Sequence, residues 1–251
     1  MAEPELHRAL VWLQFALAVP TAVALLYLTA PYGRYERSGW GPTMPARWGW
    51  VVMESPAALG FLIIYGLGAF RFHTVPLIFL GAWQSHYLYR TFVMPMRMRG
   101  HRRVPLAIPA MGFAFNALNA YINARHISHL QAYDIAWLVD PRFLLGAGLF
   151  LVGMVINRRA DRTLLRLRRP GEGDYRIPYG GLYRWVSCPN YLGEIVEWAG
   201  FALATWSLAG CAFFVYSAAN LAPRALSHHR WYREHFADYP PERRALIPYV
   251  L

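Results

Sequence analysis

Seven apolar stretches separated by arginine-rich loops constrain this chain more than any other feature. They lie near residues 8–30, 48–70, 74–95, 105–124, 142–157, 191–206 and 208–223. A hydrocarbon layer about 30 Å thick takes roughly 20 apolar residues per helix. The pattern therefore predicts an all-α integral membrane protein with seven transmembrane helices. The first stretch is too long, and too poorly followed by a cleavage signal, to read as a secretory peptide. The fourth is the weakest, because Asn116, Asn119 and Asn123 interrupt it. The fifth is short unless it continues into the polar helix after it. The last two lie so close that they predict a tight helical hairpin around Ser207–Gly210. There is no internal repeat, and one domain over 1–251 is expected.

Arginine placement orients the bundle. The net charge is +11, and all 25 basic residues are arginine. With seven spans, 20 of them fall on one side, in the loops 31–47, 96–104 and 158–190 and in the tail from Arg224. The other side carries Arg8, Arg71, Arg125 and Arg142 beside Glu3, Glu5, Asp134 and Asp140. The positive-inside rule makes the rich side cytoplasmic, with the N-terminus out and the C-terminus in. The absence of lysine excludes a lysine nucleophile, a Schiff base and a P-loop lysine. Two cysteines, Cys188 and Cys211, are too few for a disulfide scaffold or a cysteine-based zinc site. A basic chain with positive mean hydropathy is a poor candidate for binding nucleic acid.

Ionisable groups inside membrane helices are costly and mark function. Glu54 lies a few residues into the second stretch and is followed by Pro56, which frees a backbone carbonyl. It reads either as an interfacial carboxylate or as a buried acid. Trp83, Tyr87 and Arg90 share a face of the third helix, either as an aromatic belt with a snorkelling arginine or as a cavity wall. Asn190 and Glu194 are four apart, with Glu197 one turn on; Asn157 and Asp161 repeat the spacing where the fifth stretch leaves the membrane. A purely structural ion-pair network is the competing explanation for this set. In the tail, Arg224, His228 and Tyr232 continue a polar face into the cytoplasm.

The segment 158–190 reads as an amphipathic helix stopped by Pro170-Gly171, then a turn-rich stretch, Tyr175-Arg-Ile-Pro-Tyr-Gly-Gly-Leu-Tyr183. Arginines beside such a turn suit phosphate groups, and equally anionic lipid headgroups. No Gly-x-Gly-x-x-Gly fingerprint supports a Rossmann site. No histidine pair with a supporting acid suggests a metal.

These residues also carry a resemblance. Asn157…Asp161, Leu164-Leu-Arg-Leu-Arg-Arg-Pro-Gly-Glu172, Tyr175-Arg-Ile-Pro178, Asn190-Tyr-Leu-Gly-Glu-Ile-Val-Glu-Trp198 and His228-His-Arg-Trp-Tyr232 resemble the C-terminal part of the steroid 5α-reductase family. Upstream, Met53-Glu54 looks like that family's Gln-Glu pair, and His86-Tyr-Leu-Tyr-Arg-Thr-Phe92 like its His-Tyr-x-x-Arg-Thr-Phe run. The likeness reaches from about residue 50 to the end.

The resemblance implies NADPH-dependent reduction of the Δ4 double bond of a 3-oxo-steroid. It places the catalytic pair at Glu54 and Tyr87. It places cofactor contacts at Asn157, Asp161, Arg168, Tyr175, Arg176, Asn190, Glu194, Arg224, His228 and Tyr232, with no metal. About 1–95 would hold the steroid and about 96–251 the NADPH. Met53 departs from the family's glutamine and bears on the preferred steroid. Cofactor contacts within the arginine loop 97–103 do not align. The implied partners are a steroid arriving from the lipid phase and membrane lipids, with no nucleic acid and no obligate protein partner. Compactness and the lack of lysine read as a bacterial homologue, which would sit in the inner membrane.

The implied chemistry is hydride addition to an enone, with negative charge developing on the ketone oxygen. Donors aimed at that oxygen stabilise the transition state. Tyr87 is expected to be the principal donor. Glu54 would share its proton or, kept neutral by an apolar site, donate directly. Three other readings remain at this point, the first being another membrane enone, enoyl or sterol reductase. An isoprenylcysteine-type methyltransferase shares the C-terminal architecture but typically reads Arg-His-Pro-x-Tyr, where this chain has Ser187-Cys-Pro-Asn-Tyr191. A lipid-binding scaffold would explain the arginines but not Glu54, Glu194 and Glu197 together.

Overall fold

The computed structural model describes residues 2–98, 102–167 and 175–251. Each apolar stretch lies in a helical rod. They are α1 (Glu3–Tyr27), a second rod made of α2 (Ala46–Ser55) and α3 (Phe61–Gly66), and a third made of α4 (Thr74–Leu88) and α5 (Met94–Arg97). Then come α6 (Ala107–Arg125), α7 (Pro141–Leu167), α8 (Pro189–Thr205) and α9 (Leu208–His235). Three of them are long and apolar enough by themselves to cross a membrane: Glu3–Tyr27, Ala46–Gly66 and Pro141–Leu167. On α1 the large side chains Trp12, Leu13, Leu17 and Val23 are exposed, as a face turned to lipid requires. The fifth stretch does continue into a polar helix, since α7 runs on to Leu167.

One feature departs from the all-α expectation. Thr43–Pro45 (β1) pairs antiparallel with Arg103–Pro105 (β2), Met44 opposite Val104. Arg103 donates from Nε to Thr43 Oγ1 and from Nη2 to Thr43 O, both at 2.7 Å. Two prolines and a run of arginines kept this ribbon from registering as strand in the sequence. Its effect is to fold the arginine loop back onto the start of α2.

Two rods are interrupted by π-helical turns, Pro56–Gly60 between α2 and α3 and Tyr89–Val93 between α4 and α5. Pro56 has no N–H, so the Val52 carbonyl loses its helical donor; the Ser55 hydroxyl takes its place at 2.9 Å. The widened turn leaves the Ala57 and Ala58 carbonyls to accept from Trp83 Nε1 at 2.8 Å and Gln84 Nε2 at 3.0 Å. The second and third rods are thus pinned by hydrogen bonds as well as by packing. The aromatic core, with Phe61, Phe79, Trp83, Trp198 and Phe201 all buried, lies at this junction.

α7 and α8 approach backbone to backbone. A Cβ on Gly146, Gly153, Gly193 or Gly200 would sit 2.3–2.4 Å from backbone atoms of the facing helix. Small residues permit such contact where no water drives helices together. α8 ends at Trp206, whose φ of 47° turns the chain left-handed. Ser207 then caps α9 by accepting from Gly210 N at 2.9 Å. This is the hairpin expected from the sequence.

Candidate active site

The α7–α8 contact brings the paired polar residues together. Asn157 donates to the Asn190 carbonyl at 3.0 Å, and Asn190 Nδ2 donates to Asp161 Oδ1 at 3.2 Å. Asp161, Asn190 and Glu194 face a cavity of about 230 Å³. Tyr175, Arg224, His228 and Tyr232 also line it, so seven of the ten residues implied to hold cofactor share one wall. Asn157 stands behind that wall on a much smaller cavity. Arg176 is exposed and is not on the wall. Arg168 lies outside the described residues, as does Pro170-Gly171, the expected stop of the amphipathic helix.

The wall includes residues that motif matching did not find. Arg34, from the α1–α2 connection, is enclosed by the rings of Tyr175, Trp231 and Tyr232, 4.6–4.8 Å from their centres. Its Nη2 donates to Tyr232 Oη at 3.3 Å, while its buried Nη1 has no hydrogen-bond partner among the described residues. Arg102 donates to Tyr175 Oη and lies over the same ring. Arg224 donates to Tyr32 Oη and, at 3.3 Å, to Asn220. Tyr32, Arg34 and Tyr35 belong to the N-terminal part of the chain, so the wall is not built from 96–251 alone. The available signal was the aromatic-arginine run Tyr32-Gly-Arg-Tyr35, which was read only as a basic loop.

His228 has a phenol on each nitrogen. Tyr35 Oη is 3.2 Å from Nδ1 and Tyr191 Oη is 3.1 Å from Nε2. Burial, with the Arg34 and Arg224 charges beside it, holds the imidazole well below its ordinary range. It therefore meets the cavity as a neutral ring.

Arg90 joins this cavity to Glu54. Sitting in the π turn of the third rod, it donates from Nε to Glu54 Oε1 at 2.9 Å and from Nη1 to Glu194 Oε2 at 3.4 Å. Asn116 donates to the other Glu54 oxygen at 3.2 Å and to the Met53 carbonyl at 2.8 Å. Both carboxylate oxygens of Glu54 thus accept from the protein. A guanidinium at 2.9 Å and an amide thus stand beside Glu54, where the sequence suggested purely apolar surroundings. Glu54 is buried, not interfacial.

Tyr87 lies on the same rod, buried against Trp83 at 4.9 Å and Trp198 at 5.7 Å between ring centres. Glu54 and Tyr87 are not hydrogen-bonded to each other, and neither lines the large cavity; Arg90, which does line it, is bonded to Glu54. Glu197 pairs with His86 at 2.9 Å. No cluster suited to a metal occurs among the described residues.

Chemically, the cavity offers arginines for anionic groups and a carboxylate–amide set, Asp161, Asn190 and Glu194, for hydroxyl and amide groups. The Tyr87 phenol is buried among the rings of Trp83, His86 and Trp198. Comparison with known proteins finds relatives along the whole chain. Residues 102–251 match the family profile of 3-oxo-5-alpha-steroid 4-dehydrogenase. The chain is 44% identical over 255 residues to the bovine (Bos taurus) 3-oxo-5-alpha-steroid 4-dehydrogenase 1, covering 100% of this chain and 99% of that protein. It is 43% identical over 239 residues to the steroid 5-alpha-reductase DET2 of Arabidopsis thaliana, covering 92% and 91%. The human 3-oxo-5-alpha-steroid 4-dehydrogenase 1 is 39% identical over 252 residues, covering 100% and 97%. A match of this extent places the protein in the steroid 5α-reductase family of oxidoreductases.

Proposed function

We propose that this chain reduces the Δ4 double bond of 3-oxo-Δ4-steroids to the 5α-3-oxo product with NADPH, inside a seven-span bundle. The observation that carries the reading is the arginine-lined cavity whose Arg90 is bonded to both Glu54 and Glu194. NADPH fits the residues present: the unpartnered Nη1 of Arg34 and the cations Arg102 and Arg224 suit its phosphates. Asp161, Asn190 and Glu194 suit its ribose hydroxyls and carboxamide. When bound, the nicotinamide supplies a hydride.

The protein's own residues do the rest. Tyr87 donates to the ketone oxygen, where charge grows during the reaction, so its bond strengthens in the transition state. Glu54 holds Arg90, and Arg90 holds Glu194, so placement of the cofactor end and of the substrate end is linked. The aromatic box around Tyr87 excludes water.

We place the arginine-rich side, and with it the cofactor mouth and the C-terminus, in the cytoplasm, with the N-terminus outside. The steroid arrives from lipid, where it is already concentrated. A bacterial inner membrane fits the arginine distribution. The decisive test uses detergent-purified protein, measuring NADPH oxidation with testosterone or progesterone against methyl transfer from S-adenosylmethionine. Steroid-dependent oxidation is expected; methyl transfer without it would move the chain to the methyltransferase reading.

A further inference from the structure

A second cavity, of about 10 Å³, lies between α4 and α7. That is the room of about one water by the usual measure. Two buried side-chain atoms on its wall have no partner among the described residues: Nε2 of His86 and Oη of Tyr89. A buried polar group left unsatisfied loses the hydrogen bond it made to water in the unfolded chain. Asp161 and Arg90 line both this cavity and the large one.

The other edge of the His86 ring is fixed: Nδ1 pairs with Glu197 Oε1 at 2.9 Å, with Glu197 fully buried. The ring meets Tyr87 edge to face, with centres 5.0 Å apart and planes at 70°. It meets Trp198 the same way at 4.7 Å and 64°.

We propose that the small cavity binds one ordered water bridging His86 Nε2 and Tyr89 Oη, and that His86, clamped by this water and Glu197, is a positioning residue for Tyr87. The imidazole is one wall of the aromatic box that aims the phenol. With Nδ1 donating to Glu197, Nε2 is left to accept, and the water supplies the donor. Asp161 borders the same water-sized space, so the clamp connects the cofactor wall to the phenol without touching substrate. This role rests on the steroid-reductase reading; the water site does not.

The test has two arms. A high-resolution experimental structure of the full chain should show water within hydrogen-bond distance of both His86 Nε2 and Tyr89 Oη; a dry cavity overturns the site. His86→Asn keeps a donor toward Glu197 but loses the water contact. It should lower kcat for testosterone about tenfold, leave the NADPH KM within about twofold, and reduce the infrared shift of the bound enone carbonyl that reports the Tyr87 bond. Unchanged kcat and carbonyl shift contradict the positioning role. Should His86→Asn fail to fold, Tyr89→Phe, which leaves the Glu197 pair intact, decides by the same readouts with a smaller expected drop. A wild-type protein that binds the water but never shifts an enone carbonyl would instead sink the steroid reading alone.

Discussion

At Arg90 one guanidinium serves two carboxylates from different helices, Glu54 at 2.9 Å and Glu194 at 3.4 Å. Mutations at the proposed catalytic pair should therefore differ in kind. Tyr87→Phe removes only a donor to the ketone and should cut kcat by about 10²-fold, the usual scale for an oxyanion donor, with the NADPH KM unchanged. Glu54→Gln should cut kcat comparably and also raise the NADPH KM, because Arg90 loses its charged partner beside the cofactor wall. Identical KM behaviour in steady-state assays of the two variants would separate Arg90 from the cofactor.

His228 gives a pH prediction. Its folded-state pKa is depressed, by burial first and then by Arg34 and Arg224, so protonation favours the unfolded chain. The stability that depends on a neutral ring is complete above about pH 6.5 and is lost as pH falls below it. His229, lowered by burial and by Arg233 and Arg244, acts in the same direction. The Tm should fall between pH 7 and 5, and His228→Gln should flatten that slope; an unaltered slope would exclude His228 as its source.

Residue types were easier to read than their partners. Asn157, Asp161, Asn190 and Glu194 were legible because helical spacing put them on shared faces. The Arg90 bridge and the Arg34 cage join segments far apart in sequence, which periodicity cannot report.

The elements were legible where apolarity ran the length of a helix, as in α1, and less so where a helix left the apolar layer. α7 is described as far as Leu167 and α9 runs to His235, both beyond what hydropathy marks. The π turns at Pro56–Gly60 and Tyr89–Val93 were not read as such, though Pro56 announced the first. The glycine seam of α7 and α8 makes an element-scale prediction. Gly153→Ala places a Cβ 2.3 Å from the Glu197 backbone nitrogen and should destabilise by about 1–3 kcal/mol, the usual cost of overpacking. It should also weaken NADPH binding by spreading Asn157 from Asn190. Gly148→Ala, with nothing within 4 Å, is the control and should leave the Tm unchanged. Equal effects on thermal shift in the two variants would mean that the seam does not hold these helices.

For the whole molecule, arginine asymmetry argues that the cofactor mouth and the C-terminus share the cytoplasmic side. A reporter fused after Leu251 should be active only there, and activity on the opposite face would remove both the orientation and the supply of NADPH. The central claim is that NADPH held in the large cavity would supply the hydride to a steroid enone held at Tyr87. Its most direct test is a single turnover with NADPH deuterated at the transferring carbon and testosterone, the product read by mass and nuclear magnetic resonance spectroscopy. The account predicts one deuterium on the 5α carbon, the α-carbon hydrogen drawn from solvent, and NADH serving much less well than NADPH. Deuterium absent from the steroid, or a steroid left unreduced while NADPH remains bound, would contradict it.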